Sequence, residues 1–220
     1  MFLNIFFQLL LRPKGKYSFI KKNKKKICLF DVGCGNNSPR KIKSINPKFF
    51  YVGLDIANYN NDASSLNYAD EIIITEPNKF SSAILDLKVN PEIIISSHNL
   101  EHCSNPYEVL KNLSTVLKPN GVMYLSFPSE KTINFPSREG CLNFYDDETH
   151  IHRPLELNKI KDILISNGLQ IDFISEQYRP NILKFIGFLL EPFSYFIGKN
   201  LLGTWEFWGF ETIIHVKKKC

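Results

Sequence analysis

No stretch narrows the choice of fold for this chain more than Ile27-Cys28-Leu29-Phe30-Asp31-Val32-Gly33-Cys34-Gly35. The apolar run reads as a buried strand. Two glycines then follow within three residues, and Asn37 or Ser38 stands where a helix N-cap would sit. Glycine permits positive φ and has no Cβ to hold a ligand away from the backbone. The helix start that follows presents free N–H groups. A strand, a tight glycine turn and a helix start suit a nucleotide, and an ordinary turn of an α/β protein is the plain alternative.

The second apolar strand, Phe49-Phe50-Tyr51-Val52-Gly53-Leu54-Asp55-Ile56, ends in an acid twenty residues after Gly35. In doubly wound folds such an acid accepts from both hydroxyls of an adenosine ribose. A dinucleotide fingerprint would place a third glycine where Ser38 stands, which disfavours NAD without removing it.

From these residues onward the chain resembles class I S-adenosylmethionine (SAM) dependent methyltransferases. Phe30-Asp31-Val32-Gly33-Cys34-Gly35 is similar to their first motif, and Tyr51-Val52-Gly53-Leu54-Asp55 to their second. Glu92-Ile93-Ile94-Ile95-Ser96-Ser97-His98-Asn99-Leu100-Glu101-His102 resembles their fourth strand and its exit loop. Leu117-Lys118-Pro119-Asn120-Gly121 looks like the turn into the fifth, with Asn120 in place of the usual glycine. Asn also tolerates the left-handed conformation. The resemblance implies a Rossmann-like, doubly wound, seven-stranded, mostly parallel sheet with helices on both faces, in a single domain whose last strand is antiparallel. It implies SAM as cofactor, with Asp31, Gly33, Cys34 and Gly35 shaping its loop. Asp55 would hold the ribose, Ile56 and Glu76 would flank the adenine, and Ser97 and His98 would lie at the methionine end.

The order of elements agrees. Strands are expected at 27–32, 49–55, 71–75, 92–97, 122–127, 169–175 and 209–216, with helices at 38–45, 78–87, 106–117 and 154–167. Gly168 stands as the C′ residue of the last of these helices. The Asn-rich stretch 58–68 leaves room only for a short helix. A chain of 220 residues with 44% apolar content fits one α/β domain spanning 27–220, preceded by an apolar and basic segment, 1–26. Residues 2–11 and 16–22 are expected to be helical or irregular. Five scattered cysteines without a CxxC argue for a reducing compartment. Met1 to Leu11 lacks the basic start and cleavage site of a secretory signal. The expected location is cytoplasmic, with membrane association as an alternative.

Four of the five histidines fall in two clusters, His98 with His102 and His150 with His152. Both clusters are expected at the carboxyl ends of strands four and five. Methyl transfer needs alignment above all, and a hydroxyl acceptor gains from a base of near-neutral pKa. His98, His150 and His152 are the candidate bases. His150 and His152, two residues apart in an acidic loop, are also candidate ligands for a divalent metal. Arg138 is a candidate clamp for a phosphate or carboxylate of the acceptor, and Tyr145 lies in the same stretch. Gly140-Cys141-Leu142-Asn143-Phe144-Tyr145-Asp146-Asp147, with Thr149-His150, is similar to methyltransferases of bacterial surface-polysaccharide pathways, including capsule. That resemblance implies O-methylation of a sugar, nucleotide-sugar or related phosphorylated acceptor. Lipid, quinone, RNA or protein acceptors, or a non-catalytic binding partner, are the competing readings.

The lysine runs at 21–26 and 217–219 could hold nucleic acid, anionic lipid or a phosphorylated substrate, but the favoured reading is a solvated linker; no aromatics interleave the first, so no nucleic acid is expected. The apolar segment 182–208 is interrupted by Pro192 and Gly198, so it is not one spanning helix. It is expected to cap the acceptor site as a helical hairpin, to form a homodimer interface, or to meet a membrane surface beside the basic runs.

Overall fold

A computed structural model describes residues 15–175 and 181–220. The expectation for residues 2–11 lies outside them. Seven strands form one sheet: β1 (Cys28–Val32), β2 (Phe50–Asp55), β3 (Glu71–Ile74), β4 (Ile93–Ser97), β5 (Val122–Pro128), β6 (Leu169–Ser175) and β7 (Glu211–Lys218). Their order is β3-β2-β1-β4-β5-β7-β6. All neighbouring pairs are parallel except the two involving β7, as the resemblance implies.

Strand alternation sorts the core onto two faces. Phe30 and Val32 of β1 point into one apolar cluster with Ile94, Met123 and Leu125. That face is covered by α4 (Phe80–Leu85), α5 (Pro106–Val116) and α6 (Leu157–Ser166), through Ile84, Leu113 and Ile160. Leu29 points the other way, into a cluster with Tyr51, Ile95 and Tyr124. Phe19 and Ile20 of α1 (Lys16–Lys22) and Ile42 of α2 (Ser38–Lys43) cover that second face. α1 is therefore part of the sheet's packing.

Two left-handed residues are where the sequence puts them. Asn120 turns into β5 at φ 61°, and Gly168 closes α6 at φ 78°. The Asn-rich stretch holds only a four-residue helix, α3 (Ala63–Leu66). The last strand starts later than expected, because Gly209 (φ 72°) is the C-cap of a short helix, α8 (Thr204–Trp208).

Pro192 does not break the apolar segment. α7 (Asn181–Ile197) runs through it and ends at Gly198, φ 67°. The ring removes one backbone donor without ending the helix. α7 and α8 form a close pair through glycines: a Cβ on Gly187 would lie 2.0 Å from the Gly203 carbonyl oxygen. No described helix is long and apolar enough to cross a membrane. The basic runs do not flank this pair. Lys217 pairs with Val122 at the start of β5, whereas α7 follows the carboxyl end of β6, at the opposite end of the strands.

Candidate functional site

The glycine turn sits where the strand order reverses, between β1 and β4, the place where open α/β sheets take ligands. Gly33 adopts φ 78° and its N–H donates to the Leu54 carbonyl at 2.9 Å. A side chain at Gly33 would meet Asn99 at 2.9 Å, and one at Gly35 the Tyr59 carbonyl oxygen at 2.7 Å. The Asn-rich loop explains the second contact, because it is clasped onto the glycine turn. Asn36 N–H donates to the Tyr59 carbonyl (2.9 Å) and Asn37 N–H to Asn61 Oδ1 (2.8 Å). Asn61 Nδ2 donates back to the Cys34 carbonyl at 3.3 Å.

This clasp corrects one expectation: the N–H groups of Asn36 and Asn37 are spent on protein partners instead of facing a ligand. A pyrophosphate would need such donors, so the structure weighs further against a dinucleotide. Asn37 is the N-cap but makes no side-chain cap bond, and Ser38 opens α2.

Asp31 lies beneath the turn, fully buried, on the face covered by α1 and α2. It accepts from Ser38 Oγ (2.5 Å) and Tyr51 Oη (2.7 Å), and Lys16 Nζ stands 3.7 Å away. Burial alone would lower the Lys16 pKa, but the Asp31 carboxylate, together with Tyr17 and Cys34, outweighs it and raises it above the ordinary 10.5. Asp31 thus braces the turn from below. Cys34 is also turned inward, and burial pushes its thiol far above the ordinary range. Both residues shape the loop through its underside.

Asp55 ends β2, and its carboxylate accepts from the Ile56 N–H at 2.8 Å. Burial raises its pKa. Ile56 beside it is half exposed, offering an apolar surface, and Glu76 is exposed and paired with Lys79 at 3.0 Å.

A cavity of about 250 Å³ opens between the turn and β4. Gly33, Gly35, Ser97, His98, Trp205 and Glu211 are among its walls. His98, in the left-handed region at φ 50°, is held at both ring nitrogens. Nδ1 is 3.0 Å from Glu101 Oε1 and Nε2 is 3.1 Å from Glu211 Oε1. Burial alone would lower its pKa, but the two carboxylates outweigh that and raise it to about 10. With both nitrogens donating, His98 has no lone pair to act as a free base, contrary to the expectation for it. Trp205 stacks on Phe210 (4.2 Å, 19°) and donates Nε1–H to the Cys141 carbonyl at 2.9 Å.

The other candidates separate. Arg138 is buried and grips Glu191 of α7 at 2.6 and 3.0 Å, with Ser194 at 2.9 Å. Its guanidinium anchors a helix and is not presented to an acceptor. Tyr145 is exposed and packs edge-on against Phe144. His152 makes its hydrogen bond elsewhere than His150 and is not among the ligand atoms that gather at His150. It is exposed, at φ 70°, with Nε2 3.0 Å from the Ser104 carbonyl. The two are therefore not a ligand pair. His150 instead meets His102, ring to ring at 4.9 Å, so the two histidine clusters do converge. Asp146 accepts three backbone N–H groups of its own loop, from Arg138, Leu142 and Asn143.

Sequence reasoning did not find Lys16, Trp205 or Glu211. Glu211 is set opposite Pro128 by the antiparallel β5–β7 pairing, and no local pattern announces that register.

The fold and site together define a doubly wound enzyme-type domain with a cofactor crevice at its switch point. A family model for a methyltransferase domain matches residues 7–174, and the chain belongs to that family. No curated protein matches it. Similar solved structures include a SAM-dependent methyltransferase from Archaeoglobus fulgidus (16% identity, 99% of this chain and 100% of that one, TM-score 0.52). The plantazolicin methyltransferase BamL, solved with a triazolic desmethylPZN analog and SAH, aligns at 14% identity over 98% of this chain and 84% of its own, TM-score 0.60. A SAM-dependent methyltransferase from Mesorhizobium loti aligns at 13% identity over 88% and 91%, TM-score 0.57. At such identities the likeness shows the fold alone.

Proposed function

We propose that this chain transfers a methyl group from SAM to oxygen of a small sugar-like or phosphorylated acceptor, in the setting of surface-polysaccharide synthesis. SAM supplies an electrophilic methyl on a sulfonium. Gly33, Gly35 and Ser97 line the cavity; Asp55 at the end of β2 would hold the ribose and the exposed Ile56 would meet the adenine. The structurally similar BamL carries SAH in its own structure.

The observation that carries the reading is the Glu211–His98 pair on the cavity wall. An acceptor hydroxyl becomes strongly acidic as its oxygen gains a methyl, so a carboxylate is a sufficient proton acceptor. Glu211 takes that proton, His98 orients Glu211, and Trp205 excludes water. His98 is a positioning residue in this scheme. The sugar or nucleotide-sugar class rests on the resemblance of residues 140–150. Labelled methyl transfer to a panel of sugars and nucleotide sugars tests it. Glu211→Gln should lower turnover by about 10²–10⁴ while leaving cofactor affinity within a few fold. Unchanged turnover would remove Glu211 from this role.

A further inference from the structure

Among the described residues outside the cofactor crevice, one group of side chains is arranged as metal ligands usually are. Glu101, His102 and His150 each offer one ligand atom within 4.8 Å of the others. The two imidazoles come from segments 48 residues apart, joined by the Ile151 N–H bond to the Glu101 carbonyl at 2.9 Å.

The tautomers follow from the partners. His150 Nδ1 is 2.5 Å from the Phe144 carbonyl, which can only accept, so Nδ1 carries the proton. His102 Nδ1 faces the Thr149 carbonyl (3.2 Å) and Thr149 Oγ1 (3.0 Å). That hydroxyl already donates to Asp147 Oδ1 at 2.5 Å, so His102 Nδ1 is again the donor. In the neutral rings both lone pairs are left on Nε2. Histidines that bind metal through one nitrogen almost always donate the other N–H to a carbonyl or carboxylate. The His150 ring is further fixed by stacking on Phe144 at 4.3 Å and 28°.

Glu101 supplies the independent observation. It is 2% exposed, and Oε1 is spent on His98, yet Oε2 has no hydrogen-bond partner. His98 compensates the carboxylate at Oε1 only, and a buried Oε2 with no donor or cation of its own still costs free energy.

We propose that Glu101, His102 and His150 form a three-ligand site for a divalent cation of the zinc type. Two imidazoles and one carboxylate are a borderline-soft set that suits zinc and leaves a coordination position open. Ligands at about 2.0–2.2 Å from a tetrahedral ion lie roughly 3.3 Å apart, so small side-chain rotations close the site. Asp147 Oδ2, 3.8 Å from His150 Nε2, stands next to it. The site does not depend on methyl transfer, and metal binding alone tests it.

The test is titration of the chelator-treated full chain with Co²⁺, followed by Zn²⁺ competition. Wild type should bind one Co²⁺ per chain with ligand-field absorption and no thiolate charge-transfer band. His102→Ala and His150→Ala should each weaken Zn²⁺ by at least about 100-fold. Glu101→Gln keeps the side chain's shape and should weaken it too. His152→Ala should bind as wild type does. Zn²⁺ should raise the melting temperature of wild type and His152→Ala only, and circular dichroism separates lost binding from lost folding. Absence of stoichiometric Co²⁺ in wild type overturns the proposal, as does equal weakening by His152→Ala.

Discussion

The half of the sheet from β3 to β4 and the half from β5 to β6 build their shares of the rim in opposite ways. In the first, backbone does most of it. Gly33, Gly35, Asp55 and Ser97 lie at or just past strand ends, and each is placed by its own strand. The second half contributes side chains that reach across long stretches of chain, two of them to the exit loop of β4: Glu211 to His98, Arg138 to Glu191, His150 to His102. Local construction makes a site readable from spacing. Construction by distant pairs makes it depend on register and docking, which spacing does not encode.

Arg138→Ala offers the sharpest separation of the two halves. It leaves Glu191 without its partner in a mostly buried ion pair, and such losses cost about 3–5 kcal/mol. Chemical denaturation should show a loss near the lower end, since Glu191 is partly exposed, and cofactor affinity should stay near that of wild type. If affinity collapses with stability, the halves are not separable.

Gly35→Ala is the converse. Its Cβ would meet the Tyr59 carbonyl oxygen at 2.7 Å, so the clasp of residues 58–62 must shift. Overpacking of this kind costs about 1–3 kcal/mol. Cofactor affinity should fall at least tenfold while the α7–α8 pair stays docked, as read by tryptophan fluorescence. Unaltered affinity would mean that the clasp and the crevice are independent.

A smaller effect belongs to the brace under the turn. The Lys16 pKa is raised above 10.5 in the folded chain, so its pairing with Asp31 stabilises fully below that value. The contribution is lost as pH rises through the raised value. Wild type should lose stability in that alkaline range by more than Lys16→Met does. Parallel pH profiles would show that the pair contributes nothing.

Much of the first half was legible in the sequence for the reason just given. Strand alternation, the glycine spacing and the acid at Asp55 are local, as is, in the other half, the left-handed turn at Asn120. The Asn-rich stretch promised only a short helix, yet its side-chain amides and carbonyls hold the glycine turn in place. Arg138 looked like an anion clamp because its chemistry suits one, and Glu191 had no motif to announce it. His98 was found for its place at the end of β4. Its two carboxylate partners, which change what it can do, come from three and 113 residues away.

The central claim is that the crevice between β1 and β4 holds an adenosyl cofactor through Gly33, Gly35 and Asp55. Calorimetry with S-adenosylhomocysteine on the full chain tests it most directly. One molecule should bind per chain, Asp55→Ala should weaken it at least about tenfold, and Arg138→Ala should not. No binding to wild type, or binding indifferent to Asp55→Ala, would contradict the account.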